Sequence, residues 1–313
     1  MTVDRSISVV ICSYSLDRWD DLVRSIESVR AQTSPALEIV LVVDHNDALL
    51  ERAQGQWPDL AVVASVEAAG LSGARNTGLA LAKGDVIAFL DDDAAAEPDW
   101  IEELARAYRA PAVMGVGGSS IPSWDRGRPD WFPQEFDWVI GCSYRGLPEA
   151  AAPVRNFIGS NMSFRTDQLR EIGGFNAALG RVGSGLAGCE ETELCIRLAG
   201  HFAGQNLVYE PRARVRHRVQ ASRGTWRYFR GRCLAEGRSK AMVSRLVGRS
   251  RGLKSERRYA TRVLPAAVAK AIGDAIRTRR AAHAERAGAI IAGLLITTVG
   301  YVQGTVFGPR LSS

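Results

Sequence analysis

Three consecutive aspartates, Asp91, Asp92 and Asp93, directly follow the apolar run 86–90. Three carboxylates at the end of a buried strand repel one another, and a bound divalent cation relieves that repulsion. Mg²⁺ and Mn²⁺ prefer oxygen ligands, and Mg²⁺ usually keeps coordination positions for substrate phosphate oxygens. The triplet therefore predicts a metal site that binds a diphosphate. A solvated acidic turn is the alternative interpretation.

The segment 70–84, with the sequence GLSGARNTGLALAKG, predicts an anion-binding helix start. The expected helix begins at Ser72, whose hydroxyl can cap it, and ends near Ala82. Arg75 and Asn76 fall in its first turn. Backbone N–H groups and a guanidinium at a helix N-terminus favour a bound phosphate.

Two acids, Glu190 and Glu191, begin a predicted helix that ends near Gly200 and follows the glycine-rich segment 180–188, an expected mobile loop. The helix dipole favours their ionised form, so either carboxylate could accept a proton from a hydroxyl group. Acids chosen only to cap the helix are the alternative. His217, in ARVRHRVQ, is either a metal ligand or a polar strand residue.

Apolar runs alternate with helical spacings over residues 7–118, which predicts βαβ units in a mixed, mainly parallel sheet flanked by helices. The expected strands are 7–12, 38–43, 60–65, 86–90 and 112–117. Ligands of such α/β sheets bind at the carboxyl ends of the strands. Ser13, Tyr14 and Asp44 follow the first two strands, and the aspartate triplet follows the fourth. These polar residues are therefore expected to meet at one edge.

Aromatic residues are concentrated in the loop-rich segment 120–165, namely Trp124, Trp131, Phe132, Phe136, Trp138 and Tyr144. Exposed aromatic rings on loops often stack on sugars. The same rings could instead pack together as a small core, and the pattern leaves both interpretations open.

These motifs together resemble those of glycosyltransferase family 2, whose members have the GT-A fold, over roughly residues 5–220. The resemblance rests on five segments in the family's order: ISVVICSYSLDRWDDLVRSIESVRAQ, VVDHND, LSGARNTGLALAKGDVIAFLDDD, IGSNMSFRTDQLREIGGF and EETEL. It implies a nucleotide-sugar-binding half at 1–120, an acceptor-binding half at 121–220, and a basic helical extension at 221–313.

The resemblance also assigns roles. It implies a nucleoside diphosphate sugar donor, with a UDP-sugar favoured, bound by Ser13, Tyr14, Asp44, Arg75, Asn76, Asp91 and Asp92. It implies Mn²⁺ or Mg²⁺ on Asp91, Asp93 and His217. The family's catalytic Glu-Asp is Glu-Glu here, so the base is expected to be Glu191, with Glu190 as the alternative. The Gln-x-x-Arg-Trp motif of processive members is absent. A non-processive, inverting transfer of one hexosyl group to an acceptor hydroxyl is therefore expected.

The end of the chain predicts contact with a membrane. Residues 212–286 hold 22 Arg or Lys against 4 Asp or Glu, and residues 287–309 hold no charge. A basic segment beside an apolar run suits an anionic membrane surface. Binding to nucleic acid would favour aromatic residues interleaved with the basic ones, and the segment contains few of them. The uncharged run of 23 residues is about long enough to span a bilayer. Its glycines leave an interfacial or buried hairpin as an alternative. For the basic segment 212–286, the alternative is a solvated face of arginines that binds no anionic partner.

Cysteine usage and the N-terminus favour the cytosol. The five cysteines form no CxxC pair, and the start lacks the pattern of a signal peptide. We therefore expect a transferase on the cytoplasmic face of the cell membrane, acting on a lipid-linked glycan or polysaccharide precursor. The alternatives are an inactive membrane scaffold and transfer to a polyprenyl phosphate. The sugar, the nucleotide, the acceptor and self-association are left open.

Overall fold

The computed structural model describes residues 5–180, 188–248 and 254–307. The glycine-rich segment 181–187 and the last two residues of the uncharged run, 308–309, lie outside these residues. The chain forms two compact units. We call them the sheet unit (Met1–Ile121, Pro148–Gly185 and Glu190–Arg218) and the helical unit (Pro122–Leu147, Leu186–Cys189 and Val219–Ser313). The predicted split of 1–220 into donor and acceptor halves stays a prediction.

The strands of the described residues form one nine-stranded sheet in the order β3-β2-β1-β4-β8-β6-β9-β5, with β7 paired to β9. The strands are β1 Ile7–Ser13, β2 Glu38–Val43, β3 Ala61–Ala64, β4 Val86–Asp91, β5 Ala94–Ala96, β6 Val113–Trp124, β7 Ala152–Pro153, β8 Asn161–Arg165 and β9 Asn206–Val219. The helices are α1 Trp19–Arg30, α2 Asp47–Gln56, α3 Leu71–Leu81, α4 Trp100–Ala107, α5 Thr166–Glu171, α6 Glu190–His201, α7 Trp226–Val247, α8 Lys254–Arg258, α9 Leu264–Thr278 and α10 Ala281–Phe307.

The first four strands confirm the predicted parallel half of the sheet. β1 pairs in parallel with both β2 and β4, and β2 pairs in parallel with β3. The remaining described pairs, including β4 with β8, β6 with β8 and β5 with β9, are antiparallel. The sheet is therefore mixed, with its parallel strands gathered at one side.

Alternate residues of the parallel strands belong to two separate apolar cores, one on each face of the sheet. Val9 and Ile11 of β1 pack with residues of α1, α2 and α4, whereas Val10 packs with residues of α3, α5 and α6. Successive side chains of a strand point to opposite faces of its sheet. The sheet is therefore covered by helices on both faces, and its strands are apolar throughout because both faces are buried.

The start of α3 differs from the prediction. Gly70, not Ser72, is the N-cap residue, and its φ of 132° lies in a region that favours glycine. Ser72 lies inside the helix, where its hydroxyl donates a 2.7 Å hydrogen bond to the carbonyl of Leu179. The helix ends at Leu81 and the next residue is its C-cap, close to the predicted end.

In the helical unit, the loop aromatics form a small core. Phe132 and Phe136 are buried, and their rings lie 5.4 Å and 5.3 Å from the ring of Phe229 on α7. Trp124, Trp131 and Trp138 are partly buried against the same cluster. Five of the six aromatic residues noted in the segment 120–165 therefore pack together and stabilise the helical unit. This packing favours the small-core interpretation for these five residues.

α10 is, among the described residues, the helix that is long and apolar enough to cross a membrane by length and composition. It begins at Ala281, six residues before the uncharged run, and so includes Glu285 and Arg286. Glycines allow it to lie very close to α7. A Cβ placed on Gly300 would stand 2.2 Å from the carbonyl oxygen of Leu234, and one on Gly237 would stand 2.1 Å from that of Thr297.

We predict that Gly300→Ala destabilises the helical unit, whereas Gly288→Ala on the same helix does not. A methyl group at 300 would overlap the α7 backbone, and overpacking of this kind costs about 1–3 kcal/mol. Nothing lies within 4 Å of a Cβ at Gly288, so alanine there should stabilise the helix by up to about 1 kcal/mol. Thermal unfolding followed by tryptophan fluorescence measures both. Equal melting midpoints for the two variants would contradict the close approach of α7 and α10.

Candidate active site

The carboxyl ends of the parallel strands bring the predicted polar residues to one edge of the sheet. In the register of β1 and β4, Cys12 lies opposite Asp91, so Ser13 at the end of β1 stands beside the aspartate triplet. The backbone N–H of Asp44, directly after β2, donates to the carbonyl of Ser13 at 2.8 Å. Topology alone therefore gathers residues that are 79 positions apart in sequence.

Asp91, Asp93 and His217 form a candidate metal site. Their ligand atoms, one from each residue, all lie within 4.8 Å of one another, and His217 Nε2 lies 3.1 Å from an oxygen of Asp93. The antiparallel pairing of β5 with β9 sets His217 opposite Ala94, next to the triplet. Two carboxylates and one imidazole fit a divalent ion such as Mn²⁺ or Mg²⁺. The structure thus brings together the three residues that the sequence predicted as metal ligands, and metal binding by them stays a prediction.

The middle aspartate is engaged differently from its neighbours. Asp92 is buried, and its carboxylate accepts hydrogen bonds of 2.7 Å from the Ser13 hydroxyl and from the guanidinium of Arg18. Burial raises the pKa of the Asp92 carboxyl to about 6, with Arg18 lowering it and Asp93 raising it. Ser13 and Asp92 thus bind each other, and contact of either with the donor stays a prediction.

Arg18 was missed by the sequence analysis. Its guanidinium lies 2.7 Å from Asp92, 3.4 Å from Asp93 and 5.2 Å from the centre of the Tyr14 ring. Burial lowers the pKa of Arg18, but the charges of Asp92 and Asp93 and its other partners outweigh burial and raise the pKa overall. The sequence did contain a signal for Arg18, namely a basic residue five positions after the end of β1. The chain that leaves β1 lies at the same edge of the sheet as the aspartate triplet.

Arg75 connects the candidate metal site to the start of α6. Its side chain is buried and donates to an oxygen of Asp91 at 3.3 Å, to Glu190 Oε1 at 3.0 Å and to the carbonyl of Gly159 at 2.9 Å. Burial lowers the pKa of Arg75, but Asp91 and Glu190 outweigh it and raise the pKa overall. The guanidinium is therefore charged and fixes the spacing between two acidic groups. Direct contact of Arg75 with a diphosphate stays a prediction.

The two acids at the start of α6 have different environments. Glu190 is buried and holds the ion pair with Arg75, whereas Glu191 is half-buried and accepts a 3.0 Å hydrogen bond from the Thr192 hydroxyl. The Glu190 carboxylate is engaged by the Arg75 guanidinium, whereas Glu191 is the more exposed of the two acids. The assignment of Glu191 as the base, with Glu190 as the alternative, stays a prediction.

Asp44 and Asn76, two further residues predicted to bind the nucleotide sugar, form hydrogen bonds with the protein backbone in this structure. Asp44 Oδ2 accepts from the N–H of Gly70 at 2.9 Å, and so joins the end of β2 to the start of α3. The Asn76 amide donates to the carbonyl of Phe175 at 2.9 Å and accepts from its N–H at 2.8 Å. Asn76 therefore holds the turn at Phe175, and donor contact for both residues stays a prediction.

Comparisons with known proteins agree with this arrangement. The family model described as "Glycosyl transferase family 2" matches residues 8–173. The glucosyl-dolichyl phosphate glucuronosyltransferase of Haloferax volcanii is 39% identical over 244 residues, which are 77% of this chain and 78% of that protein. The succinoglycan biosynthesis protein ExoM of Rhizobium meliloti is 25% identical over 256 residues, 79% of this chain and 77% of that one.

A solved structure has the same fold. The mannosyltransferase PcManGT from Pyrobaculum calidifontis, determined with GDP-Man and Mn²⁺, superimposes with a TM-score of 0.57 at 17% identity, over 95% of this chain and 88% of that chain. The mixed sheet with helices on both faces is therefore a GT-A fold, as the resemblance implied. Because the family model covers more than half of the chain and a relative shares 39% identity over most of its length, the chain belongs to glycosyltransferase family 2.

Proposed function

We propose that this glycosyltransferase moves one hexosyl group, with inversion, from a nucleoside diphosphate sugar to a hydroxyl of a lipid-linked sugar. One observation carries the proposal. Arg75 holds Asp91 of the candidate metal site and Glu190 of α6 on a single guanidinium, so a diphosphate-binding centre and a pair of acids lie within one side chain of each other. An inverting transfer needs these two groups side by side.

Asp91, Asp93 and His217 would hold the metal, which would supply Lewis-acid stabilisation of the charge on the departing diphosphate. The chain's own residues supply the rest of the reaction. Glu191 accepts the proton of the acceptor hydroxyl, and that oxygen bonds to the anomeric carbon. The bond from that carbon to the diphosphate oxygen breaks on the opposite face, and its electron pair leaves with the diphosphate. The new glycosidic bond therefore has inverted configuration.

The nature of the substrates is inferred from relatives and from the site. The Haloferax volcanii relative is named for a glucuronosyl group and a glucosyl-dolichyl phosphate. Its 39% identity favours the same kind of reaction here, with a UDP-sugar as donor and a polyprenyl-phosphate-linked sugar as acceptor. An acid at the Glu191 position also favours a hydroxyl acceptor, because a phosphate acceptor is already ionised and needs no base. The fold neighbour's GDP-Man and Mn²⁺ support a nucleotide sugar with a metal.

The proposed location is the cytoplasmic face of a membrane. A lipid-linked acceptor lies in a membrane, and the helical unit ends in the long apolar helix α10. The cysteines Cys12, Cys142, Cys189, Cys195 and Cys233 are all free thiols, which suits a reducing compartment. Nucleotide sugars are cytosolic donors in this proposal, and no role for nucleic acid is proposed.

The acceptor can be tested with purified full-length protein, Mn²⁺ and radiolabelled nucleotide sugars. Two acceptors are offered in parallel: a polyprenyl phosphate, and the same lipid carrying one hexose. We expect label to enter the hexose-bearing lipid alone. Transfer to the bare phosphate instead would replace the hydroxyl acceptor by the phosphate. Failure of every donor to bind or react would leave the inactive scaffold as the better reading.

A further inference from the structure

The helix α10 exposes an apolar stripe along one face. Ile291, Leu295, Val299, Val302 and Val306 are each about half exposed or more, from 48% for Ile291 to 63% for Val306. Their spacings of four, four, three and four residues keep them on one side of an α-helix. No charged residue lies between the first and the last of them. The stripe is therefore about 22 Å of continuous apolar helix surface.

The opposite face of α10 is covered by α7. Ile290, Gly293 and Gly300 are buried there, half a turn away from the stripe. Arg245 of α7 donates hydrogen bonds to the carbonyls of Gly304 and Thr305, so the contact continues to the last turns of α10. The two helices thus lie side by side along residues 293–305 of α10.

The charges of α7 argue against a spanning helix. The part of α7 that accompanies residues 293–305 carries six charged side chains: Arg230, Arg232, Glu236, Arg238, Lys240 and Arg245. Pairs of Glu236 with Arg232 and Lys240 leave a net positive charge. If α10 crossed a bilayer in this arrangement, these side chains would enter the hydrocarbon layer, where charged groups are costly and rare. The packing of α7 on α10 therefore disfavours a span.

The surroundings of the stripe match an anionic lipid surface. Residues 219–286 hold 18 Arg or Lys against 4 Asp or Glu. Arg277, Arg279 and Arg280 are exposed just before α10, and Arg238 and Arg245 are exposed beside its other end. Exposed basic groups beside an apolar helix face attract anionic lipid headgroups.

We propose that α10 lies along the surface of an anionic membrane, with its stripe in the acyl boundary, and does not span the bilayer. The α7 helix then lies on the aqueous side of α10. The inference rests on the proposed function only in its partner, because a lipid-linked acceptor brings the enzyme to a membrane. Lipid binding needs neither donor nor acceptor, so its outcome is separate from that of any activity assay.

Vesicle flotation of the full-length protein tests the stripe. The vesicles are phosphatidylcholine alone, or phosphatidylcholine with phosphatidylglycerol. We expect the protein to float with the anionic vesicles and Leu295→Glu/Val302→Glu to lower its partition coefficient by about tenfold or more, since two apolar contacts are lost. Leu37→Glu, at an apolar residue of the sheet unit that is 53% exposed, is the matched control and should float unchanged. Equal flotation of wild type and stripe variant would overturn the proposal.

The side of the membrane on which the C-terminus lies distinguishes a helix that lies on the surface from one that spans the bilayer. A protease-cleavable epitope placed after Ser313 should be cut from the same side of sealed membrane vesicles as the sheet unit. Cleavage from opposite sides would establish a span and contradict the proposal. Sedimentation of the protein without lipid tests a different occupant. A stable dimer that Leu295→Glu converts to a monomer would assign the stripe to a second copy of the chain instead.

Discussion

Asp93→Ala is expected to abolish metal-dependent binding of the nucleoside diphosphate while the fold is retained. Asp93 is buried two residues after the end of β4, and its carboxylate lies against both His217 and Arg18. Loss of groups that merely support a metal ligand costs 10–100-fold in metal affinity, so loss of a ligand should cost about 100-fold or more. Calorimetric titration of UDP with Mn²⁺ present measures the loss.

Two controls make this result specific. Asp93→Asn keeps the shape of the side chain and removes the charge, so it should bind UDP as poorly as Asp93→Ala and melt close to the wild type. Asp20→Ala removes an exposed acid from the first turn of α1 and should leave UDP binding unchanged. If Asp93→Asn retains full metal-dependent affinity, the candidate metal site has been assigned to the wrong residues.

Glu191→Gln is expected to keep donor binding and to lose roughly 10²-fold or more in turnover, which is the usual scale of general base catalysis. The amide keeps the size of the side chain but cannot accept the hydroxyl proton. The comparison variant is Glu190→Gln. Because Glu190 pairs with the buried Arg75, its replacement should lower the melting temperature as well as the rate.

The two variants together identify the base. Low turnover of Glu191→Gln with unchanged donor affinity and melting temperature supports Glu191. Low turnover of Glu190→Gln alone, with the melting temperature unchanged, would exchange the two roles. Full activity of both would indicate an acceptor that is already an anion, and so would favour the polyprenyl phosphate.

Much of the fold could be predicted from the chain because its parallel half follows local rules. β1, β2 and β4 are apolar runs bounded by turn residues, and their carboxyl ends had to meet. The antiparallel half was harder. β5 is only Ala94–Ala96, three small residues directly after the triplet, and nothing in such a short run indicates a strand. Its pairing with β9, which carries His217 to the site, depends on tertiary contacts alone.

The structure brings together the residue types that the sequence singled out, but the contacts among them were not visible in the sequence. The triplet, the two glutamates and His217 were all selected from the sequence. Burial was not visible there. Arg75 was expected to face the diphosphate, and the structure has it 2% exposed and bonded to two acids and a carbonyl. Similarly, nothing in the sequence distinguishes Asp92 from the two neighbouring aspartates as a site residue. In the structure, Asp92 accepts hydrogen bonds from Arg18 and Ser13.

The configuration of the transfer product tests the central claim most directly. Purified protein would be given an α-linked UDP-sugar, a hexose-bearing polyprenyl phosphate and Mn²⁺, and the product would be examined by NMR. A β-linked product that forms with Mn²⁺, disappears with a chelator and is absent with Asp93→Ala is the predicted result. An α-linked product, or equal transfer in the presence of the chelator, would contradict a metal-dependent single displacement at this site.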